Sequence, residues 1–199
     1  MTADGALVTS CPMSPRRRVL LALLALGSLG GLAVFACTAA PRPDGGEGHL
    51  PIGKPAPDLS GVDQAGKTQR IADHRGGYLL IYFYPKDGTP GCTTEACAFR
   101  DAWKRYEEAQ VAIFGVSEDD QASHAEFAEE HRIPFPLIAD PEGAWATAFG
   151  VGTFLGMTER VSFVVGPEGT IVAAYPDVDP GVHATQVLKD VTALRSSSP

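Results

Sequence analysis

Positive charge is scarce in this chain. The 199 residues include 16 Lys and Arg against 24 Asp and Glu, so the net charge is −8 at neutral pH. A nucleic-acid partner requires a basic surface to meet its phosphates, and this composition argues against one. The five histidines lack the spacing of metal ligands. We therefore predict no metal site, and we expect His124 and His131 on the solvated face of one helix.

Long hydrophobic runs are scarce as well. The one clear run, residues 19–36, carries no charge and directly follows the basic triplet Arg16–Arg18. This is the layout of an export signal. The triplet resembles a twin-arginine signal, and residues 34–37 resemble the box that precedes a lipid-modified cysteine in bacterial lipoproteins. We predict a signal peptide at residues 1–36 and lipidation of Cys37, while cleavage elsewhere or a retained membrane anchor stays open.

The segment after the signal is poor in periodic apolar residues. Residues 37–49 are rich in Pro and Gly, which predicts a flexible tether, and the folded domain is expected at residues 50–199. Together with the signal, this organisation predicts an exported protein at the cell envelope, held at the membrane by a lipid or by the signal segment.

The folded part alternates between strands and helices, without an internal repeat. Residues 78–84 are apolar or aromatic throughout, which is typical of a strand buried on both faces. Further strands are predicted at 111–116, 134–139, 160–165 and 170–175, and helices at 93–110, 121–131, 142–149 and 183–195. A turn at 166–169 joins the last two strands as a hairpin. This order predicts an α/β fold, a three-layer sandwich whose mixed central sheet is flanked by helices.

Cysteine is rare, yet two of the four cysteines lie five residues apart where the first strand gives way to a helix. Cys92 is nearest the helix start, where unpaired backbone N–H groups favour the reactive thiolate. On one intact helix, Cα atoms five residues apart are separated by about 8.6 Å. A disulfide requires less than about 7 Å. Cys92 and Cys97 therefore suit a pair that links only after Cys92 is oxidised and the helix start unravels.

The residues around this pair resemble a known family. Pro85-x-x-x-Thr89-x-x-Cys92 is similar to the signature of peroxiredoxins, thiol peroxidases of the thioredoxin superfamily. The run from Thr89 to Cys97 resembles the bacterioferritin-comigratory, or Q-type, subfamily, and the likeness extends from about residue 50 to the C-terminus. Departures from the family pattern are Ser162, where threonine is usual, and Leu59, where phenylalanine is usual.

The resemblance implies a thioredoxin-like fold and a complete reaction cycle. Cys92 attacks hydrogen peroxide or an organic hydroperoxide, Cys97 resolves the resulting sulfenic acid as a disulfide, and a thioredoxin-like donor reduces that disulfide. Thr89 and Arg160 hold the peroxide oxygens, with Arg100 as a second candidate arginine. Pro85 shields the thiol from water. The resemblance also implies a monomer and no cofactor.

Three other functions are weighed against the peroxidase. An exported thioredoxin-like disulfide oxidoreductase normally carries Cys-x-x-Cys, whereas four residues separate the thiols here. A copper-binding assembly protein uses soft thiolates, but it gives the Pro-x-x-x-Thr-x-x-Cys setting no role. A catalytically inactive lipoprotein that keeps only the fold is the third.

Overall fold

The central element of the fold is a five-stranded sheet, seen in a computed structural model that describes residues 42–197. The strands, including two of a separate hairpin, are β1 Ser60–Val62, β2 Thr68–Arg70, β3 Tyr78–Phe83, β4 Val111–Ser117, β5 Leu137–Ala139, β6 Val161–Val165 and β7 Ile171–Tyr175. The helices of the described residues are α1 Pro90–Glu108, α2 Gln121–His131, α3 Ala144–Phe149 and α4 His183–Ser197, with a short 3₁₀ helix at Ile71–His74.

The sheet is mixed, in the order β5-β4-β3-β6-β7. β3 runs parallel to β4, and β4 runs parallel to β5, whereas β6 is antiparallel to both β3 and β7. Every residue of β3 is buried, as its unbroken apolar sequence predicts for a strand in the middle of a covered sheet. The predicted parallel crossover and the terminal hairpin are both present.

Alternation along β3 divides the core into two layers. Leu80 and Tyr82 pack in a cluster with residues of α1, α2 and α4. Leu79 and Ile81 pack in a second cluster with residues of α3. Because successive side chains of a strand point to opposite faces, this division places helices on both sides of the sheet. The predicted three-layer sandwich is confirmed.

Several elements differ from the sequence prediction. The strand predicted at 134–139 is limited to β5 because Pro134 and Pro136 have no backbone N–H to donate to a neighbouring strand. The β1–β2 hairpin was not predicted, since its strands are three residues long and largely exposed, which leaves no apolar alternation to detect. The 3₁₀ helix, too, has a single buried residue, Ile71.

The predicted N-terminal features fall mostly outside the described residues. The signal peptide at residues 1–36, the lipidation site Cys37 and residues 38–41 of the tether are not covered. In the rest of the tether, the Arg42 guanidinium donates hydrogen bonds to the carbonyl oxygens of Glu47 and His49. Directly after the tether, Leu50 N–H donates to the Phe149 carbonyl. Within residues 42–197, none of the helices combines the length and apolar character needed to cross a membrane.

Candidate active site

The start of α1 places Cys92 in the first turn of a helix. α1 begins three residues earlier than the sequence predicts, because Pro90 occupies the first helical position, where a missing N–H is harmless. Thr89 precedes it in extended conformation as the N-cap residue. The Cys92 side chain is turned inward, and the residue is only 1% exposed. The helix start therefore presents a buried thiol beside unpaired backbone N–H groups.

Arg160 reaches this thiol from the sheet. It directly precedes β6, whose first residue, Val161, pairs with Phe83 at the end of β3. The register thus brings the guanidinium to the edge of the sheet from which the chain continues into α1. Arg160 Nη2 lies 3.1 Å from Cys92 Sγ and donates to it. The contact sets the fixed positive charge of the guanidinium directly against the sulfur.

Glu95 completes the charged group at Cys92, and the sequence analysis did not single it out. It lies three residues after Cys92, so helical spacing places both on one face of α1. Arg160 Nη1 donates to Glu95 Oε2, while Glu95 Oε1 is buried without a hydrogen-bond partner. Burial raises the pKa of Glu95 to about 7, against the opposing effect of Arg160. An acidic residue on the buried face of a predicted helix was the available signal.

The pKa of Glu95 predicts a pH dependence of stability. From about pH 4.5 to about pH 7 the folded protein keeps a proton that the unfolded chain releases, so the free energy of unfolding falls as pH rises through this window. Glu95→Gln removes the titrating group and should flatten this part of the profile by up to about 3 kcal/mol, because one pKa unit corresponds to about 1.4 kcal/mol. Urea unfolding at the two ends of the window measures the difference.

A matched control for this prediction is Glu126→Gln, an identical change at an exposed position of α2. It should leave the pH profile of stability unchanged. An unaltered slope in Glu95→Gln as well would show that Glu95 ionises equally in the folded and unfolded states.

Thr89 and Pro85 lie in the loop that leads into α1, and both are partly exposed. The Thr89 hydroxyl donates to the Lys86 carbonyl at 3.0 Å, and not to the Cys92 sulfur. This bond closes the tight loop that leads into α1. The predicted roles of Thr89 on a peroxide oxygen and of Pro85 as a shield therefore stay predictions.

Cys97 lies on the same uninterrupted helix as Cys92, and both are free thiols. Cys97 is partly exposed, whereas Cys92 is buried. Arg100, the second candidate arginine, donates to the Asp101 carboxylate at 2.9 Å and to the His131 carbonyl at 2.7 Å. Of the two candidates, it is Arg160 that contacts Cys92.

The structure corrects the prediction for His124. The prediction of a solvated face is wrong for this residue, which is completely buried. The physical reason is an ionic partner: His124 Nδ1 lies 2.8 Å from Asp87 Oδ2, in the loop before α1. His131 is partly exposed, as expected. Among the described residues, no group of His, Cys, Asp and Glu is arranged to hold a metal ion.

The chain has counterparts among known proteins in both sequence and fold. The model of the AhpC/TSA family matches residues 52–174. The chain belongs to the AhpC/TSA family. This span covers both cysteines and both candidate arginines.

Within the AhpC/TSA family, the chain is similar to peroxiredoxins of the Bcp and peroxiredoxin Q type. The chain is 40% identical to peroxiredoxin Bcp of Bacillus subtilis over 154 residues, which cover 72% of this chain and 98% of that protein. It is 34% identical to the chloroplastic peroxiredoxin Q of Triticum aestivum over 170 residues, which cover 81% and 78%. The solved structure of the Xanthomonas campestris bacterioferritin comigratory protein, which has alkyl peroxide reduction activity, superposes with a TM-score of 0.67 at 34% identity, covering 72% and 99%.

These similarities confirm the predicted fold and enzyme class. The chain is a thiol-dependent peroxidase with a thioredoxin-like fold, related to the Bcp and peroxiredoxin Q proteins. The alternative of a thioredoxin-like disulfide oxidoreductase is not favoured.

Proposed function

We propose that Cys92 is the residue of this peroxidase that attacks the hydroperoxide. The observation that carries the proposal is the 3.1 Å contact between Arg160 Nη2 and the sulfur of a buried cysteine in the first helical turn. The thiolate attacks the terminal oxygen of the hydroperoxide. The S–O bond forms, the O–O bond breaks, and the departing alkoxide or hydroxide takes up a proton. Cys92 becomes a sulfenic acid, and the peroxide is reduced to an alcohol or water.

Arg160 and Thr89 are proposed to hold the peroxide during this step. The guanidinium has further N–H groups besides those bound to Cys92 and Glu95, so it is able to donate to a peroxide oxygen at the same time. Thr89 is able to contribute its hydroxyl once that group turns from the Lys86 carbonyl. Pro85 is proposed to cover the thiol on the loop side.

Cys97 is proposed as the resolving thiol. Its sulfur attacks the Cys92 sulfenic acid, a disulfide forms, and water leaves. Because both cysteines lie within α1, about 8.6 Å apart at Cα, the first turns of the helix must unravel before this bond forms. A dithiol donor of the thioredoxin type then reduces the disulfide by thiol–disulfide exchange. Both cysteines return to the thiol form, and the donor is oxidised to a disulfide.

An apolar groove supports organic hydroperoxides as substrates besides hydrogen peroxide. The groove is lined by Pro85 together with Phe154 and Met157 of the loop that precedes β6. Phe154 and Leu155 in this loop are 57% and 81% exposed. An alkyl group that leaves the site past Pro85 would find an apolar surface there.

Peptide mapping tests the cycle. Lys86 and Arg100 flank both cysteines, so one tryptic peptide carries the pair. One equivalent of hydrogen peroxide added to the reduced protein should convert this peptide to a form that has lost two hydrogens and resists alkylation. The urea-unfolded protein should react much more slowly, because it lacks the Arg160 contact. If the folded protein still accepts two alkyl groups after the treatment, the proposed cycle is wrong.

We also propose that the enzyme works outside the cytoplasm as a monomer, attached to the membrane through Cys37. The proposal rests on the export-signal pattern at residues 1–36 and the resemblance of residues 34–37 to a lipoprotein box. The mass of the mature N-terminus tests the attachment through Cys37, since a lipidated Cys37, another cleavage site and a retained signal differ in mass.

A further inference from the structure

Asp87 ties the loop between β3 and α1 to neighbouring elements through four hydrogen bonds. Its carboxylate accepts hydrogen bonds from the Tyr84 hydroxyl at 2.7 Å and the Ser123 hydroxyl at 2.8 Å, and it pairs with His124 Nδ1 at 2.8 Å. Its backbone N–H donates to Asp119 Oδ2 at 2.8 Å. These five residues, which we call the loop anchor, connect the loop to the end of β3, the end of β4 and the start of α2.

Asp87 and His124 form the central pair of the loop anchor. The pKa of Asp87 is lowered: burial opposes the ionised carboxylate, but the hydrogen bonds from His124, Tyr84 and Ser123 together with the attraction to His124 outweigh it. On the other side of the ring, His124 Nε2 lies 3.2 Å from the Ile138 carbonyl, which is able only to accept. Each ring nitrogen of His124 therefore faces an oxygen acceptor, so the imidazole is held from both sides. Tyr84 on the loop, Asp119 after β4 and Ser123 on α2 are the other polar groups of this cluster.

After the loop anchor, the chain from Gly88 to Phe99 is held by other contacts. Gly88, directly after Asp87, has a φ of +68°, in the left-handed region that glycine adopts without strain. The main polar ties of the following turns are the contacts of Arg160 with Cys92 and Glu95. Further along α1, Phe99 is completely buried in the core. The segment that has to unravel thus lies between two fixed points, Asp87 and Phe99.

We propose that Asp87 and His124 are positioning residues for the peroxidase reaction: they fix the N-terminal end of the unravelling segment and so favour the helical, peroxide-reactive form of α1 over the disulfide-forming one. This rests on the cycle proposed above. While Asp87 is held, residues 88–91 have a defined path into the helix, and Cys92 is delivered to Arg160. Without the anchor, the loop gains conformational freedom that it must lose again each time the helix start forms.

The proposal predicts opposite effects on two successive steps. Loss of the anchor should slow oxidation of Cys92, because less of the protein is in the helical form. It should speed the attack of Cys97 on the sulfenic acid, because that step uses the unravelled form. A second hydroperoxide molecule competes with Cys97 by oxidising the sulfenic acid to a sulfinic acid, with release of an alcohol or water. Faster resolution should therefore reduce the sulfinic fraction at high peroxide.

The test compares Asp87→Asn with Asp190→Asn in the full chain. Both carboxylates accept a hydrogen bond from a tyrosine hydroxyl, and Asp190 of α4 does so at 2.9 Å from Tyr175, the last residue of the edge strand β7, two strands away from β3. Rapid-quench mass spectrometry with hydrogen peroxide follows each step. Asp87→Asn should slow Cys92 oxidation about tenfold and speed disulfide formation about tenfold, since a hydrogen bond to a charged group contributes about 1.5–3 kcal/mol. Asp190→Asn should leave both rates as in wild type.

A second pair covers the case in which Asp87→Asn does not fold. Tyr84→Phe and Tyr175→Phe each remove one hydroxyl that donates to an aspartate, and Tyr84→Phe should show the same opposed changes, each about threefold, as expected for one neutral donor. If both steps slow together, or neither changes, the positioning role is overturned. If wild type forms no Cys92–Cys97 disulfide, it is the proposed cycle that fails.

Discussion

Peroxide reduction is expected to stop completely in Cys92→Ser. A serine hydroxyl is far less acidic than a thiol and forms no sulfenic acid, so neither Arg160 nor the helix start is able to make it reactive at neutral pH. The rate of hydrogen peroxide consumption, with dithiothreitol as the reductant, should fall to that of buffer alone. Ferric–xylenol orange readings of the remaining peroxide measure it.

The same substitution five residues further along is the matched control. Cys97→Ser should still consume one equivalent of peroxide at the wild-type rate, and its Cys92 should gain the mass of one oxygen atom and react with dimedone. The variant should form no intramolecular disulfide. Peroxide consumption that survives in Cys92→Ser but not in Cys97→Ser would reverse the assignment of the two cysteines.

Arg160→Met is expected to lower the rate of Cys92 oxidation by roughly 100- to 1,000-fold, the effect typical of removing one donor that stabilises developing charge in a transition state. The guanidinium contacts the sulfur directly, and in the proposed reaction it also donates to a peroxide oxygen. The decisive measurement is the second-order rate constant of the first oxidation, obtained by competition with catalase.

Arg100→Met is the matched control for this prediction, because Arg100 lies on the same helix as Cys92 but binds Asp101 and the His131 carbonyl. It should lower the rate of Cys92 oxidation by less than about threefold, because Arg100 is partly exposed and its side chain interacts with Cys97 and not with Cys92. Since Arg160→Met leaves Glu95 buried without its partner, Arg160→Lys and the unfolding free energies of all variants accompany the measurement. A larger effect at Arg100 than at Arg160 would assign the peroxide contact to the helix.

The sequence was most informative where the cause of structure is local. The continuous apolar run of β3 and the helix-terminating Gly150, which has a φ of +68°, follow from the residues themselves. The β1–β2 hairpin lacks such a signal, since its position is fixed by packing against the rest of the chain. Local patterns therefore predicted the layers of the fold but not its peripheral strands.

The candidate site shows the same division. The motif spacing drew attention to Cys92 and the family resemblance to Arg160, and the structure brings the two together. The ion pair between Asp87 and His124 joins residues 37 positions apart, and no periodicity in the sequence connects them. Glu95 was overlooked because a glutamate in a helix is ordinarily solvated, and only the position of Arg160 explains why it is buried.

The antiparallel pairing of β6 with β3 has a consequence for the timing of turnover. Arg160 is attached to a strand that is hydrogen-bonded on both sides, and nothing in the cycle requires the sheet to move. In the proposed cycle, only the short stretch between Asp87 and Phe99 has to refold after each disulfide is reduced. Closing a loop of this size takes about 10–100 ns, and helix growth takes nanoseconds per residue. The enzyme is therefore expected to recover its reactive form far faster than a reductant arrives by diffusion.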